Sequence, residues 1–376
     1  MNELSIGLEG VAVAETEMSH VDGGAGRLLI RGHEVEEIAG KLSFEECAAL
    51  LWTGSPNTDL RERLGKSRAQ AWHRLLQQTH LLSMSDPMDA IRGFVGSLET
   101  TGDSIKDALL VSGAIPVIAG AWSRHQNGEK PVEPDPEASH AGDYLRMICS
   151  TVPCSVPVER TGYGPDEKRV DALDAYLVTV IDHGLNASTF AARVVASTRS
   201  DMISAITAAI GALKGPLHGG APGPVLDMLD QIGKPGMAKE WIQAELDNGK
   251  RIMGMGHRIY RVRDPRALVL ERLVDHLSFS PETANRIKLA KAVETAALTE
   301  LAVRKPDRKL CANVEFFTAV LLEAIGLPRN LFSPTFAVGR VAGWCAHVIE
   351  EQERGRLIRP AARYIGPLPV ASHGIR

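Results

Sequence analysis

The sequence predicts an all-α protein, with a large helical domain and a smaller helical domain inserted into it. Three observations support this fold class. Aromatic residues make up only 5% of the 376 residues, whereas alanine and leucine, both strong helix formers, are plentiful. Apolar residues recur at helical spacing over long stretches. Capping residues and glycine or proline stop signals lie at the ends of these stretches.

The first forty residues depart from the helical pattern. Short β-like runs alternate with glycine turns over 11–40, which predicts a small hairpin before the first long helix. From Ser43 the pattern becomes helical, with apolar residues on one face: Phe44, Cys47, Leu50 and Leu51. A polar, proline-rich stretch at 125–143 predicts a surface loop between two helices.

The middle of the chain predicts further helices. One helical pattern covers 170–199 and is interrupted by polar residues at 182–186. The next covers 202–213, and Gly215 with Pro216 ends it. Beyond this point short helices alternate with glycine and proline turns as far as Pro328.

Two helix starts are marked by a capping residue followed by proline. Asp264 before Pro265 predicts an N-cap with proline at the first helical position. Ser333 before Pro334 predicts the same arrangement for a last helix that Gly355 closes.

The pattern of elements also predicts the domain organisation. We expect 1–221 and 329–376 to form the large domain and 222–328 to form the small domain. A cleft between two such domains is a common place for a ligand.

Charge and composition restrict the class of protein. The formal net charge of −4 and the isoelectric point near 6.3 argue against a nucleic-acid binder. Basic residues concentrate in 250–266 and 354–376, which indicates either anion sites or a solvated charged face. We find no run of 18 apolar residues for a membrane span and no signal peptide. The five cysteines lack CxxC or zinc-type spacing, which is typical of reduced thiols in a cytoplasmic protein.

Three polar segments carry candidate catalytic residues. His218 lies in KGPLHGG, where glycines let the backbone approach a ligand. His257 lies in MGMGHRIYR, where backbone amides can face an anion, and Arg266 follows in the same basic segment. Glu315 lies in NVEFF, where aromatic neighbours can raise its pKa. Simpler interpretations are a loop histidine, a glycine turn before a capped helix, and a glutamate stabilised by the helix dipole.

These residue types together form a coherent chemical set. Two histidines can polarise carbonyl groups, one carboxylate can accept a proton, and arginines can hold a dicarboxylate. The set suits proton abstraction next to a carbonyl, followed by attack on a second carbonyl. The glycines do not form a dinucleotide fingerprint, because the full spacing and a preceding strand are missing.

Six segments resemble the signature blocks of the citrate synthase family, in family order over nearly the whole chain. They are GLEGVAVAETEMSHVDGGAGRLLIRGHEVEEIA, DHGLNASTFAARVVAST, LKGPLHGGA, GMGHRIYRVRDPRA, NVEFF and FAVGRVAGWCAHVIEEQERGRLIRPAARYIGP. The resemblance implies an all-α two-domain enzyme that joins acetyl-CoA to oxaloacetate and then hydrolyses the thioester. It implies a homodimer of the short type that uses no metal and no redox cofactor.

The resemblance also implies roles for individual residues. His218 would stabilise the enol form of the thioester, His257 would polarise the ketone of oxaloacetate, and Glu315 would remove the α-proton. The implied oxaloacetate-binding residues are His183, Arg266, Arg340 and, reaching across the dimer, Arg359. The implied positions near the CoA thioester arm are Leu217, Gly254 and Asn313.

Two positions depart from the family pattern. Glu315 stands where aspartate is usual, and FFTA follows it. Glutamate is one methylene longer, and a misplacement of about 1 Å can cost on the order of 10²-fold in rate. Either the backbone around 315 is therefore retracted or the activity is low, and we expect the first. In GGAPGPVLDML the usual Asn-Glu pair after GGA is missing, and we expect this change to adjust a helix start.

Two other functions remain open from the sequence. A 2-methylcitrate synthase would use propionyl-CoA with the same residues, and one extra methylene is worth only about 1–3 kcal/mol in a pocket. An enzyme that accepts both acyl-CoAs is therefore a further alternative. A non-catalytic sensor of CoA or dicarboxylates would explain the altered base but not the retained histidines and arginines.

Overall fold

A computed structural model describes residues 5–8, 10–56, 59–149, 166–218, 222–257, 259–277, 280–307 and 310–367. The interpretations that involved Gly219, Gly220 and Arg258 lie outside these residues. The described helices are α1 (Val35–Ile38), α2 (Phe44–Thr53), α3 (Leu60–Leu75), α4 (Pro87–Gly96), α5 (Ser104–Gln126), α6 (His140–Cys149), α7 (Glu167–Thr179), α8 (Ala187–Ser197), α9 (Met202–Leu213), α10 (Pro222–Ile232), α11 (Ala238–Asp247), α12 (Pro265–Asp275), α13 (Pro281–Arg304), α14 (Val314–Ala324) and α15 (Phe332–Arg354). Short 3-10 helices cover Ile6–Leu8, Thr79–Ser83, Pro235–Met237 and Arg329–Leu331. The all-α fold class is confirmed.

The predicted N-terminal hairpin is present. Strand β1 (Ser19–Asp22) pairs antiparallel with β2 (Arg27–Ile30), and Ser19 lies opposite Ile30. A third strand, β3 (His33–Glu34), continues the sheet, which the sequence did not predict. Leu28 and Ile30 are fully buried, so one face of the hairpin rests on the helical core.

The predicted helix after Ser43 is also confirmed. Its N-terminus is a capping box, in which the Ser43 side chain accepts from the backbone of Glu46 and the Glu46 side chain accepts from the backbone of Ser43. The interruption at 182–186 divides the next predicted helix into α7 and α8. Asn186 caps α8 by accepting hydrogen bonds from the backbone amides of Ser188 and Thr189.

Two predicted boundaries were wrong. The loop predicted at 125–143 is shorter, because α5 continues through Gln126 and α6 begins at His140, whose backbone amide donates to the buried Glu45 carboxylate at 2.8 Å. Ser333 is not an N-cap, because the 3-10 turn Arg329–Leu331 leads directly into α15 and places Ser333 and Pro334 inside its first turn. Proline is tolerated there, since first-turn amides have no intrahelical acceptor.

Gly355 follows the last residue of α15 as predicted. Its backbone is not left-handed, and glycine fits there because the Glu351 side chain lies very close to it. Its φ is −76°, and a Cβ at this position would lie 2.0 Å from Oε1 of Glu351. The predicted N-cap Asp264 is confirmed, since its side chain accepts from the amide of Arg266 and Pro265 is the first helical residue.

Helix α5 forms the centre of the large helical core. It packs against α3, α4, α6, α9 and α15. By length and composition alone it is apolar enough to cross a membrane. However, 83% of its most apolar 18-residue window is buried inside the fold, as expected for a central core helix.

The helices of 222–328 pack largely on one another. α12 lies against α14, α11 against α13, and α10 against α14, while α12 also reaches α1, α7 and β2 of the large core. The site described below lies where these two groups of helices meet. The domain boundaries at 221/222 and 328/329 stay a prediction.

The crossing of α3 and α5 generates a stability prediction. A Cβ on Gly113 would lie 2.7 Å from Oγ of Ser67 and 2.9 Å from the amide nitrogen of Arg68. We expect Gly113→Ala to lower the free energy of unfolding by about 1–3 kcal/mol through overpacking. Gly211→Ala in α9 is the matched control, since nothing lies within 4 Å of its Cβ, and it should raise stability by about 0.5–1 kcal/mol. Urea unfolding of both variants measures the difference, and equal stabilities would contradict the predicted close crossing.

Candidate active site

The candidate residues meet where loops of the large core face α12 and α14. His183 precedes α8, His218 follows α9, His257 precedes α12, and Glu315 lies in the first turn of α14. The rings of His183 and His257 are 6.1 Å apart between centroids. Arg340, in α15, is close enough to act electrostatically on His183, His218 and Glu315. The fold therefore brings together residues that are far apart in sequence.

His257 is held as a neutral ring of one tautomer. Its Nδ1 accepts hydrogen bonds from the backbone amides of Ile259 at 3.0 Å and Tyr260 at 3.1 Å. Burial and the charge of Arg266 lower its pKa to about 4, although Asp264 opposes the shift. A neutral ring that accepts at Nδ1 carries its proton on Nε2. Nε2 lies 3.4 Å from a terminal nitrogen of Arg266, which is itself a donor, and 3.8 Å from Oδ2 of Asp264. Neither atom accepts the Nε2 proton at hydrogen-bond distance, so Nε2–H can donate to a substrate carbonyl.

His183 is buried and neutral at physiological pH. Burial, followed by the charges of Arg266 and Arg340, holds its pKa well below the ordinary value. Its Nε2 lies 3.1 Å from the hydroxyl oxygen of Tyr260. Sequence reasoning did not single out Tyr260, although it lies in the GMGHRIYR block; only the fold shows that its hydroxyl reaches His183.

His218 lies next to the Ser188 hydroxyl, which can donate a hydrogen bond either to His218 or to Asn186. Its Nε2 lies 2.7 Å from Oγ of Ser188, which also receives the indole N–H of Trp344 at 3.1 Å. Oγ of Ser188 is 2.7 Å from Oδ1 of Asn186 as well. If the hydroxyl donates to His218, the histidine proton moves to Nδ1. Burial and Arg340 lower the pKa of His218 to about 4, so the ring is neutral.

Glu315 is a carboxylate whose surroundings favour the protonated form. It lies in the first turn of α14, where Asn313 caps the helix by accepting from the amide of Glu315 at 3.0 Å. Burial raises the pKa of Glu315 to about 7, against the opposing charges of Arg266 and Arg340. Among the described residues, no hydrogen bond to its carboxylate oxygens is formed. A base poised near pH 7 is well matched to proton abstraction at that pH.

Two arginines lie deep in the site. Arg266 is 4% exposed and makes a two-point contact with Asp264, from Nε at 3.1 Å and from a terminal nitrogen at 2.8 Å. Arg340 is 1% exposed, donates from Nε to the carbonyl of Val180 at 2.6 Å, and stacks on Phe336. Its terminal nitrogens form no hydrogen bond to a described residue. They are therefore available to an anionic ligand.

The loop that carries His257 is tied to the start of α14. The amide of Gly256 donates to the carbonyl of Cys311 at 2.8 Å, and the amide of Asn313 donates to the carbonyl of Gly254 at 2.9 Å. The Asn313 side chain donates to the carbonyl of Gly256 at 2.9 Å. Gly254 has φ +74°, and a Cβ there would lie 2.8 Å from Cβ of Phe316. These contacts fix the base-bearing helix relative to the histidine loop.

Two predicted site residues remain apart from this cluster. The Leu217 side chain is fully exposed. Arg359 is exposed and lines a separate pocket of about 680 Å³ formed by the N-terminal segment, α8 and the chain after α15. Arg359 thus lies apart from His183, Arg266 and Arg340 in the single chain, and its role across a dimer stays a prediction.

Comparison with known proteins identifies the family. Residues 7–361 match the family profile described as citrate synthase, C-terminal domain. A citrate synthase of Haloferax volcanii is 37% identical over 97% of this chain and 96% of its own length. The chain belongs to the citrate synthase family. The resemblance in the sequence blocks is thus confirmed, and the chain is an enzyme of the citrate synthase type.

Solved structures and a second relative extend the comparison. A citrate synthase from the thermophilic archaeon Thermoplasma acidophilum was solved as a ternary complex with carboxymethyl coenzyme A and oxaloacetate. It superposes with a TM-score of 0.85 at 30% identity and covers 100% of this chain and 99% of that chain. A 2-methylcitrate synthase of Mycobacterium tuberculosis is 32% identical over 97% of this chain and 91% of its own length.

The positive charges of the basic segment 250–266 are less available to a bound anion than the sequence indicated. Within 250–266, Arg263 pairs with Glu271 at 2.6 Å, Lys250 pairs with Glu245, and Arg266 pairs with Asp264. Much of the positive charge in this citrate synthase-family loop is therefore balanced inside the protein. No group of three metal-ligating side chains is present among the described residues. The absence of a metal or redox cofactor stays a prediction.

The Arg266–Asp264 pair generates a second stability prediction. Asp264 both caps α12 and neutralises a buried arginine, so Asp264→Ala should cost about 3–5 kcal/mol of unfolding free energy. Asp201→Ala is the control, because Asp201 caps α9 through the amide of Ser204 without a buried arginine. That variant should lose only about 0.5–2 kcal/mol. Urea unfolding compares the two variants. If Asp264→Ala loses no more unfolding free energy than Asp201→Ala, the ion pair with Asp264 is not what makes the buried Arg266 tolerable.

Proposed function

We propose that this chain condenses acetyl-CoA with oxaloacetate and water to give citrate and CoA. The observation that carries the proposal is Glu315, a carboxylate with a pKa raised to about 7 that lies within the electrostatic reach of two buried arginines. Neutral histidines lie in the same site. A base that is ionised near neutral pH, beside neutral carbonyl-polarising groups, suits enolisation of a thioester.

The first step removes a proton from the acyl α-carbon. The Glu315 carboxylate accepts this proton, and the thioester oxygen gains negative charge as the enol forms. His218 donates a hydrogen bond to that oxygen from Nδ1, when the Ser188 hydroxyl turns from Asn186 to the Nε2 of His218. Oδ1 of Asn186 stays hydrogen-bonded after this change, because it also accepts from the backbone amides of Ser188 and Thr189.

The second step forms the carbon–carbon bond. His257 donates a hydrogen bond from Nε2–H to the ketone oxygen of oxaloacetate. As the carbon–carbon bond forms, this oxygen takes up one proton, which balances the proton that Glu315 removed, and becomes the hydroxyl of citryl-CoA. His183, Arg266 and Arg340 hold the carboxylates of oxaloacetate by charge-assisted hydrogen bonds. Water then cleaves the thioester and releases CoA. We place the thioester arm of CoA near Leu217, Gly254 and Asn313.

The proposal extends to assembly and surroundings. We propose a cytoplasmic homodimer in which Arg359 of each copy completes the oxaloacetate site of the other. Exposure of Arg359 outside its own cleft supports this arrangement. Cys47, Cys311 and Cys345 form no disulfide with a described residue, in keeping with a reducing compartment. We propose that the reaction needs no metal or redox cofactor.

Replacing the base tests the mechanism. We expect Glu315→Gln to lower kcat by roughly 10²–10⁴-fold, because general-base catalysis contributes about that much. Oxaloacetate affinity should stay near that of the wild type. Glu240→Gln is the control, since Glu240 is an exposed glutamate in the first turn of α11. Free-thiol release measures kcat, and unchanged turnover in Glu315→Gln would rule out Glu315 as the base.

The raised pKa of Glu315 gives a pH prediction. A base must be deprotonated, so kcat/KM should fall as the pH drops below about 7 and level off above it. His257 and His218, with pKa values lowered to about 4, stay neutral across this range and add no second inflection. A pH–rate profile that is flat between 5 and 8 would contradict the assignment.

The acyl preference separates the main proposal from its alternative. The 2-methylcitrate synthase relative at 32% identity keeps propionyl-CoA use as a second candidate. Thiol release with oxaloacetate and each acyl-CoA compares the two. Higher kcat/KM with acetyl-CoA supports citrate synthesis, and a strong preference for propionyl-CoA supports 2-methylcitrate synthesis. No release with either, from folded protein that binds CoA, would favour a non-catalytic sensor.

A further inference from the structure

The hairpin of β1 and β2 touches both histidine loops of the active site. At its start, the Ser19 hydroxyl donates to the Asp182 carboxylate at 2.5 Å and accepts from the amide of Gly184 at 2.9 Å. Asp182 and Gly184 flank His183. At the other end of β1, the carbonyl of Gly23 accepts from the amide of Arg261 at 2.8 Å.

The contact between Gly23 and Arg261 acts on His257 through the loop that carries this histidine. The amides of Ile259 and Tyr260, which hold the His257 ring, directly precede the amide that Gly23 binds. Gly23 is packed so closely that a Cβ would lie 2.4 Å from the carbonyl oxygen of Ile259. Any movement of the hairpin tip therefore moves the backbone that orients His257.

The hairpin tip, residues 22–26, is held by hydrogen bonds within the turn. Oδ1 of Asp22 accepts from the amides of Gly24 at 2.9 Å and Ala25 at 2.8 Å. Gly26 has φ +68°, and a Cβ there would lie 2.6 Å from Cγ2 of Val262. The tip thus meets the His257 loop at two glycines, Gly23 and Gly26, and is held by hydrogen bonds of its own.

We propose that the β1–β2 hairpin is a positioning element that sets the separation of His183 and His257, with Ser19 and Gly23 as its two contact residues. This inference rests on the proposed function, in which the two histidines bind oxaloacetate. Neither Ser19 nor Gly23 touches substrate; each acts through a neighbouring loop. The hairpin therefore controls oxaloacetate recognition and leaves acyl-CoA recognition unchanged.

Gly23→Ala tests the contact with the His257 loop. The added methyl must displace the carbonyl of Ile259 by at least ~0.6 Å to reach 3.0 Å from 2.4 Å. Because a shift of about 1 Å can cost on the order of 10²-fold, we expect kcat/KM for oxaloacetate to fall about 10–100-fold. The KM for acetyl-CoA should stay within about twofold of the wild type, since the acyl-CoA contacts are untouched.

Gly24→Ala is the matched control in the same turn. Its Cβ would meet only Oδ1 of Asp22, at an ordinary contact distance of 3.4 Å, and Gly24 is exposed. This variant should keep wild-type kinetics. Equal kinetics for Gly23→Ala and Gly24→Ala would overturn the proposal. So would a Gly23→Ala variant whose KM values for both substrates rise together.

Ser19→Ala tests the other end of the strand independently of the tip. It removes both hydrogen bonds that join Ser19 of the hairpin to the chain around His183, so oxaloacetate KM should rise by about tenfold. Ser19→Thr should restore the KM by keeping the hydroxyl. His20→Ala, at the next and exposed position, is its control. A Ser19→Ala variant with wild-type oxaloacetate KM would overturn the proposal even if Gly23→Ala fails to fold.

Oxaloacetate binding measured by calorimetry separates this proposal from the proposed function. If the wild type binds oxaloacetate but releases no thiol, the proposed reaction fails. The hairpin is then tested by affinity alone: weaker oxaloacetate binding in Gly23→Ala and Ser19→Ala, with wild-type affinity in Gly24→Ala and His20→Ala, supports it. If the wild type binds no oxaloacetate, both proposals fall.

Discussion

The close approach of α15 to residues 180–182 is the contact on which the rest of the site depends. A Cβ on Gly339 would lie 2.8 Å from Cγ2 of Val180, and one on Gly343 would lie 2.2 Å from the carbonyl oxygen of Ile181. Only glycine permits this spacing, since any side chain would clash with the backbone. The approach lets Arg340 reach the carbonyl of Val180 and places its charge at the base of the cleft.

That buried charge adds to the effect of burial on the ionisation of its neighbours. Burial lowers the pKa of Arg340 to about 10, which still leaves it charged at neutral pH. Burial is the main cause that keeps His183 and His218 neutral, and Arg266 is the next cause at His183. The fixed charge of Arg340 acts in the same direction on both rings, because a second positive charge beside it would be costly. The same charge limits how far burial can raise the pKa of Glu315. Burial, together with the buried Arg266 and Arg340, thus sets the ionisation of these groups in the directions that the proposed chemistry needs.

The site is assembled from loops held by backbone contacts. The 254–256 segment is tied to 311–313, and the 259–261 segment rests on the hairpin tip. Neither contact involves a catalytic side chain. Glu315 therefore depends for its position on the helix start that Asn313 caps and on the fit of Gly254 against Phe316. Such a framework can accept a longer carboxylate if the backbone around 315 is set back, as the sequence led us to expect.

The sequence by itself determined the family, the all-α class, the positions of α2, α7, α8, α9, α12 and α15 approximately, and the residue types of the site. Local signals sufficed where the cause is local, as at the Ser43 capping box and at Asp264. They failed at Ser333, because a preceding 3-10 turn displaced the helix start, and at α6, because the distant Glu45 holds its first amide. Only the tertiary structure decided the tautomer of His257, the partner of His183 and the pKa of Glu315. These depend on burial and on contacts between segments far apart in sequence, which no local pattern encodes.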